Sequence, residues 1–146
     1  MGGSDNFRSH VGFVHVQRRE HDLPFWITPG AGLHPPFSDK VLLYDEAFQY
    51  SNPEGVVVHE IAHVWDDNPG VWGSELIDSF VKTSGVDEYE PIVSEYAETN
   101  AKEHWAETVY AWVYPEARDV LGLSYWHHQF VALTVMGYPT LHQYYP

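Results

Sequence analysis

The stretch His59-Glu60-Ile61-Ala62-His63, inside the longer run from Asn52 to Asp66, decides the fold of this chain. At about 3.6 residues per turn, a helix stacks His59 on His63 along one face. Glu60 is rotated by about a quarter turn, so it misses an ion held by the two imidazoles yet reaches a water beside it. This is the HExxH arrangement, in which two histidines hold zinc and the glutamate acts as general base. Local signals place the helix at about 53–66: Asn52 as N-cap, Pro53 at the first helical position and Glu54 in the first turn. Val57, Ile61, Val64 and Trp65 follow the spacing i, i+4, i+7, i+8 and form a core-facing stripe beside the histidines. Asn68-Pro69-Gly70 supplies the turn that ends the helix.

Upstream of the helix, Lys40 to Tyr44 reads as a short apolar strand, in the usual position of the edge strand of a metallopeptidase cleft. Residues 29–39, with Pro29-Gly30, Gly32 and Pro35-Pro36, read as a loop. Pro24 to Thr28 is a weaker extended piece, and Val11 to Val16 a first strand. Downstream, Gly73 to Lys82 forms a second helix burying Leu76, Ile77, Phe80 and Val81, and Thr83 to Pro91 is polar and irregular. Asn100 caps a third helix in which Trp105, Ala106, Val109, Trp112 and Val113 repeat the apolar spacing, while Glu103 and Glu107 share another face. Pro115 closes it. A final helix runs from Ser124 to Met136, stopped by Gly137 and Pro139.

A chain of 146 residues fits one domain and buries roughly two thirds of its unfolded surface, enough for a core without staples. Cysteine is absent, which leaves histidine and carboxylates as the strong metal ligands. The formal charge of −14 has the wrong sign for nucleic acid or an anionic membrane, and opposes a metal-dependent nuclease. No apolar run reaches transmembrane length. Met1-Gly2-Gly3-Ser4-Asp5 is polar and reads as a cloning remnant over residues 1–4 rather than a signal peptide, although a mature domain cut from a secreted precursor reads the same way.

A catalytic zinc ion usually takes three protein ligands and leaves a fourth position for water. In the metzincin pattern HExxHxxGxxH, glycine and histidine fall where this chain has Asp66 and Pro69, which excludes that class. A cysteine third ligand, as in peptide deformylases, is excluded too. A carboxylate or histidine on a later helix remains. Residues Tyr96-Ala97-Glu98-Thr99-Asn100-Ala101-Lys102-Glu103-His104-Trp105-Ala106-Glu107 resemble the segment Y-x-x-T-N-x-x-E-x-[aromatic]-A-E of the lethal-factor-like zinc peptidases. That family includes the catalytic domain of anthrax lethal factor and the secreted proline-proline endopeptidases. The resemblance implies Glu103 as third ligand of one catalytic zinc ion, Tyr96 as hydrogen-bond donor to the oxyanion, and Glu107 as a group behind a histidine ligand. Asp66, three residues after His63, matches an acidic position following the family's motif. The resemblance covers about 59–66 and 94–107; His104 departs from the aromatic or apolar residue usual there and is a rival ligand.

Each residue also has a plainer reading. Glu103 suits the last position of a capping box begun by Asn100. Tyr96 is one of ten tyrosines, and Glu107 and Asp66 suit solvated helix positions. His127-His128 and the dispersed His10, His15, His21, His34 and His142 read as surface residues, since neighbours at i, i+1 do not share a helix face.

Taken together, these features predict one α+β, zincin-like domain over 1–146, with a small twisted sheet packed on the active-site helix and a mainly helical C-terminal half. The expected activity is zinc-dependent hydrolysis of a peptide or protein substrate, with Glu60 and Tyr96 catalytic and His59, His63 and Glu103 on the metal. The resemblance implies secretion. A non-catalytic zinc-binding or interaction domain on the same scaffold is the alternative.

Overall fold

Two asparagines set the frame of the helical half. In a computed structural model that describes residues 15–19, 32–33, 35, 38, 40–49, 52–67, 73–85, 93–117, 122 and 125–134, Asn52 Oδ1 accepts the Gly55 N–H at 3.2 Å and opens helix α1, Pro53–Asp66. Asn100 Oδ1 accepts from Lys102 N at 2.9 Å and Glu103 N at 3.1 Å, and opens α3, Ala101–Val113. Between them lie α2, Gly73–Ser84, and a short 3₁₀ turn, Tyr96–Glu98; α4, Tyr125–Thr134, follows. Before α1 stand the strands β1, His15–Arg19, β2, Gly32–Leu33, and β3, Lys40–Tyr44, and a 3₁₀ turn at Asp45–Gln49. The described residues are α+β and mostly helical. No described helix is long and apolar enough to cross a membrane.

The sheet differs from expectation in three ways. Its order is β1-β3-β2, so Lys40–Tyr44 is the central strand of the three described rather than an edge. β2 lies inside the expected loop and pairs antiparallel with β3, Gly32 opposite Leu43; two residues are too few to carry an alternating pattern. β1 runs parallel to β3 with His15 opposite Lys40 and Arg19 opposite Tyr44, so the strand continues past the expected end at Val16 into polar sequence. Main-chain ladder bonds hold it, with an exposed Val16, while Arg18 reaches Asp45 Oδ1 at 2.8 Å and lies over the Phe48 ring. Residues 11–14 and the extended piece at 24–28 lie outside the described residues, as does the turn at 68–70.

α1 is covered on two sides. Val64, with half-buried Val57 and Ile61, packs on Val41, Leu43 and Ala47 of the sheet side. Ala62 and Trp65 pack with Ile77, Trp105, Ala106, Val109, Phe130 and Val131 of the other helices. At about 100° per residue, these two arcs leave His59 and His63 on the remaining one, and put Glu60 at its border with the sheet. Trp65 stacks on Trp105 with centroids 4.6 Å apart, and Trp105 Nε1 donates to the Ala62 carbonyl at 2.8 Å. Truncating such a buried Trp costs about 3–5 kcal/mol, against a total stability of roughly 5–15 kcal/mol. This stack therefore governs how α3 is set against α1.

α2 runs two residues past the expected Lys82 and stops at Gly85, whose φ of 64° is left-handed and whose N–H bonds the Val81 carbonyl at 2.8 Å. Gly73 at its start lets the Trp105 indole approach, since a Cβ there would lie 2.4 Å from Cε2. Leu76, expected in the core, is exposed, and so is Val113 at the end of α3. Helical spacing gives the phase of a residue, not whether a neighbour covers it. α4 agrees with its expected span over the residues described.

Candidate metal centre

α1 and α3 bring together side chains separated by some forty residues of sequence. His59 Nε2 lies 3.2 Å from His63 Nε2 and 3.0 Å from Glu103 Oε2, and His63 Nε2 lies 3.4 Å from the same oxygen. Three donor atoms thus form a nearly equilateral triangle, and the group can hold a metal ion. All three side chains are mostly buried, with 14–18% of their surface exposed. Asn100 makes its half of a capping box, but the Glu103 carboxylate turns to the histidines, and among the described residues no bond to the Asn100 N–H closes the box.

Burial of the histidine and of both carboxylates makes the protonation state informative. Desolvation pushes the His59 pKa down, yet hydrogen bonds to Glu103 and Glu107 and the charges of Glu107 and Glu60 together raise it to about 9. For Glu103, burial pushes the pKa up, and the hydrogen bonds and charges of His59 and His63 bring it down to about 2. A charged His59 therefore donates Nδ1–H to Glu107 and directs Nε2–H towards Glu103 and His63. That second proton occupies the space an ion would take. Proton and metal compete for one position.

Glu107 bridges two partners. Its Oε1 lies 2.7 Å from His59 Nδ1, and its Oε2 accepts from Ser94 Oγ at 2.6 Å. Asp66 behaves differently from what its spacing after His63 suggests: Oδ1 accepts the Ser74 N–H at 2.7 Å and Oδ2 the Ser74 hydroxyl at 2.8 Å. It caps the first turn of α2, where backbone donors lack helical partners, instead of backing a ligand. His104 points away from the triangle, its Nε2 3.0 Å from His127 Nε2. That pair is buried, so His127, expected at the surface, belongs to the packing between α3 and α4.

No family model, curated protein or solved structure matches the chain.

Glu60 is 7% exposed and lies against β2. A Cβ on Gly32 would stand 2.8 Å from Glu60 Cγ and 2.9 Å from Oε1, so the absence of a side chain at 32 determines where that carboxylate can rest. Tyr96, in the 3₁₀ turn before α3, is exposed, with its ring centroid 6.0 Å from that of His59. Gly32 and Ser94 are the two residues of this neighbourhood that motif spacing does not find. Gly32 sits in a glycine- and proline-rich stretch that reads as loop, and Ser94 belongs to no helix.

Proposed function

We propose that this chain is a zinc-dependent endopeptidase on a zincin-like scaffold, with His59, His63 and Glu103 as ligands, Glu60 as general base and Tyr96 as oxyanion donor. The donor triangle carries the reading. Zinc bonds of about 2.0–2.1 Å meeting at the tetrahedral angle set ligand atoms about 3.3–3.4 Å apart, and the edges here are 3.0, 3.2 and 3.4 Å. Two imidazoles and one carboxylate leave the fourth tetrahedral position open, as catalytic sites do. An oxygen-seeking ion such as calcium, which takes six or more oxygens, suits this donor set poorly.

Bound zinc supplies Lewis acidity and brings the pKa of a coordinated water to about 7. Glu107 holds the His59 Nδ1 proton and so keeps the Nε2 lone pair directed into the triangle. Glu60 takes the proton of the attacking water on its carboxylate and passes it to the leaving amine nitrogen. The Tyr96 hydroxyl donates to the oxygen that becomes negative as the carbonyl is attacked. Its exposed position suits a group that meets substrate arriving from solvent.

The substrate is a peptide or protein, and the charge of −14 favours neutral or basic ones over nucleic acid. The likeness of 59–66 and 94–107 to a partly secreted family supports an extracellular setting. The test is cleavage of a mixed peptide library with and without chelator. Glu60→Ala should keep zinc and lose nearly all turnover, whereas Glu103→Ala should lose both. Chelator-insensitive cleavage, or a fully active Glu60→Ala protein, refutes the mechanism; zinc binding without any cleavage reduces the chain to a binding domain.

A further inference from the structure

We propose that Ser94 is a positioning residue that couples the metal ligand His59 to the turn carrying Tyr96. Its side chain is 2% exposed and makes two bonds of different purpose. The hydroxyl donates to Glu107 Oε2 at 2.6 Å, and the other oxygen of that carboxylate receives His59 Nδ1 at 2.7 Å. The same hydroxyl accepts the Ala97 N–H at 3.1 Å, a donor it shares with the Ser94 carbonyl at 3.2 Å. Ala97 is the residue after Tyr96, and the turn continues with Thr99 N donating to the Tyr96 carbonyl at 3.1 Å.

A carboxylate held at one oxygen can rotate about its last bond. Held at both, it presents a fixed lone pair to the imidazole, and that orientation is what ties such an outer partner to metal affinity. Ser94 supplies the second hold and is itself held by the Ala97 amide. Movement of the His59 imidazole is therefore transmitted through Glu107 and Ser94 to the backbone beside Tyr96. The chain His59, Glu107, Ser94, Ala97 consists of hydrogen bonds of 2.6–3.1 Å with no gap to be bridged.

The inference rests on the metal-binding half of the proposed function and not on peptide cleavage, so both of its tests use zinc itself. Zinc affinity is measured by competition with a chromophoric chelator, and exchange of the Ala97 amide is followed with and without zinc. Ser94→Ala should weaken zinc binding about tenfold, the lower end for an outer partner, and Ser94→Thr, which keeps the hydroxyl, should recover most of it. In the unsubstituted chain, zinc should slow exchange at Ala97 while leaving Gly85, at the end of α2, unchanged. Equal zinc affinity in Ser94→Ala, or no response of the Ala97 amide in the unsubstituted chain, overturns the coupling. The second measurement decides even if Ser94→Ala does not fold. Failure of the unsubstituted chain to take up zinc overturns the metal centre and this inference together, whereas zinc binding without cleavage leaves the inference standing.

Discussion

The proton that His59 holds in the metal-free protein predicts how zinc uptake depends on pH. With a pKa of about 9, His59 is neutral in only about one molecule in a hundred at pH 7. Binding must displace its Nε2 proton, a penalty of about 2.7 kcal/mol at pH 7 for two pH units at 1.36 kcal/mol each. Glu103, brought down to about 2, is ionised throughout and needs no such exchange. The apparent zinc affinity should therefore rise about tenfold per pH unit between pH 7 and pH 9. About one proton should be released per ion, and the rise should flatten above pH 9. Calorimetry in buffers of different ionisation enthalpy counts the proton directly. An affinity independent of pH over that interval, or uptake without proton release, refutes the reasoning.

The same group fixes the sign of the stability change. A raised histidine pKa contributes stability that is fully present below about 6.5 and is lost as pH rises through about 9; the lowered Glu103 contributes above about 4.5 and is lost as pH falls through about 2. The two contributions share the His59–Glu103 bond and are not additive. Metal-free protein should thus be most stable near pH 4.5–6.5 as far as these groups decide, and lose up to about 3 kcal/mol on the alkaline side. Zinc reverses the trend because its stabilisation grows with its affinity. A thermal midpoint that falls between pH 7 and 9 without zinc and does not fall with it is the expected pair of curves.

Three substitutions separate the roles of neighbouring residues. Tyr96→Phe should lower turnover by about 10²–10³, the loss typical of one oxyanion donor, at unchanged zinc content by metal analysis. Asp66→Ala should cost about 2 kcal/mol in urea denaturation, because it strands the Ser74 N–H and hydroxyl, with zinc affinity unaltered; a tenfold loss of affinity would place Asp66 behind a ligand after all. Gly32→Ala puts a methyl 2.8 Å from Glu60 Cγ and 2.9 Å from Val56 Cγ1. The flexible carboxylate yields more easily than the backbone, so stability should drop by no more than about 1–3 kcal/mol while turnover falls and zinc content stays.

What was legible in the sequence divides along a physical line. Within one helix, spacing determines which residues share a face, and both helices of the centre announce themselves by local chemistry: Asn52 and Asn100 cap them, and the apolar spacing sets their phase. His59 with His63, and Glu103 with Glu107, are pairs at i, i+4, so whatever turns one member towards the other helix turns both. Contacts between elements follow no such rule. Asp66 sits on the border of the histidine face and matches an acidic position by spacing, yet Ser74 in the first turn of α2 takes both of its oxygens, one with its backbone N–H and the other with its hydroxyl. Leu76 and His127 show the same limit from opposite sides, one exposed at an apolar position and the other buried at a polar one. β2 is too short for any period, but the close approach of its Gly32 to Glu60 decides the resting place of the proposed base. The triangle itself needed a contact between helices, and only the likeness of 94–107 to a known segment pointed from α1 to α3. Once α3 is placed by Trp105 on Trp65 and the Ala62 carbonyl, Glu103 and Glu107 reach the two nitrogens of one imidazole from successive turns. Trp105 thus helps to position both the proposed ligand and the carboxylate that would orient it, so loosening the Trp stack should weaken zinc binding before it unfolds the chain.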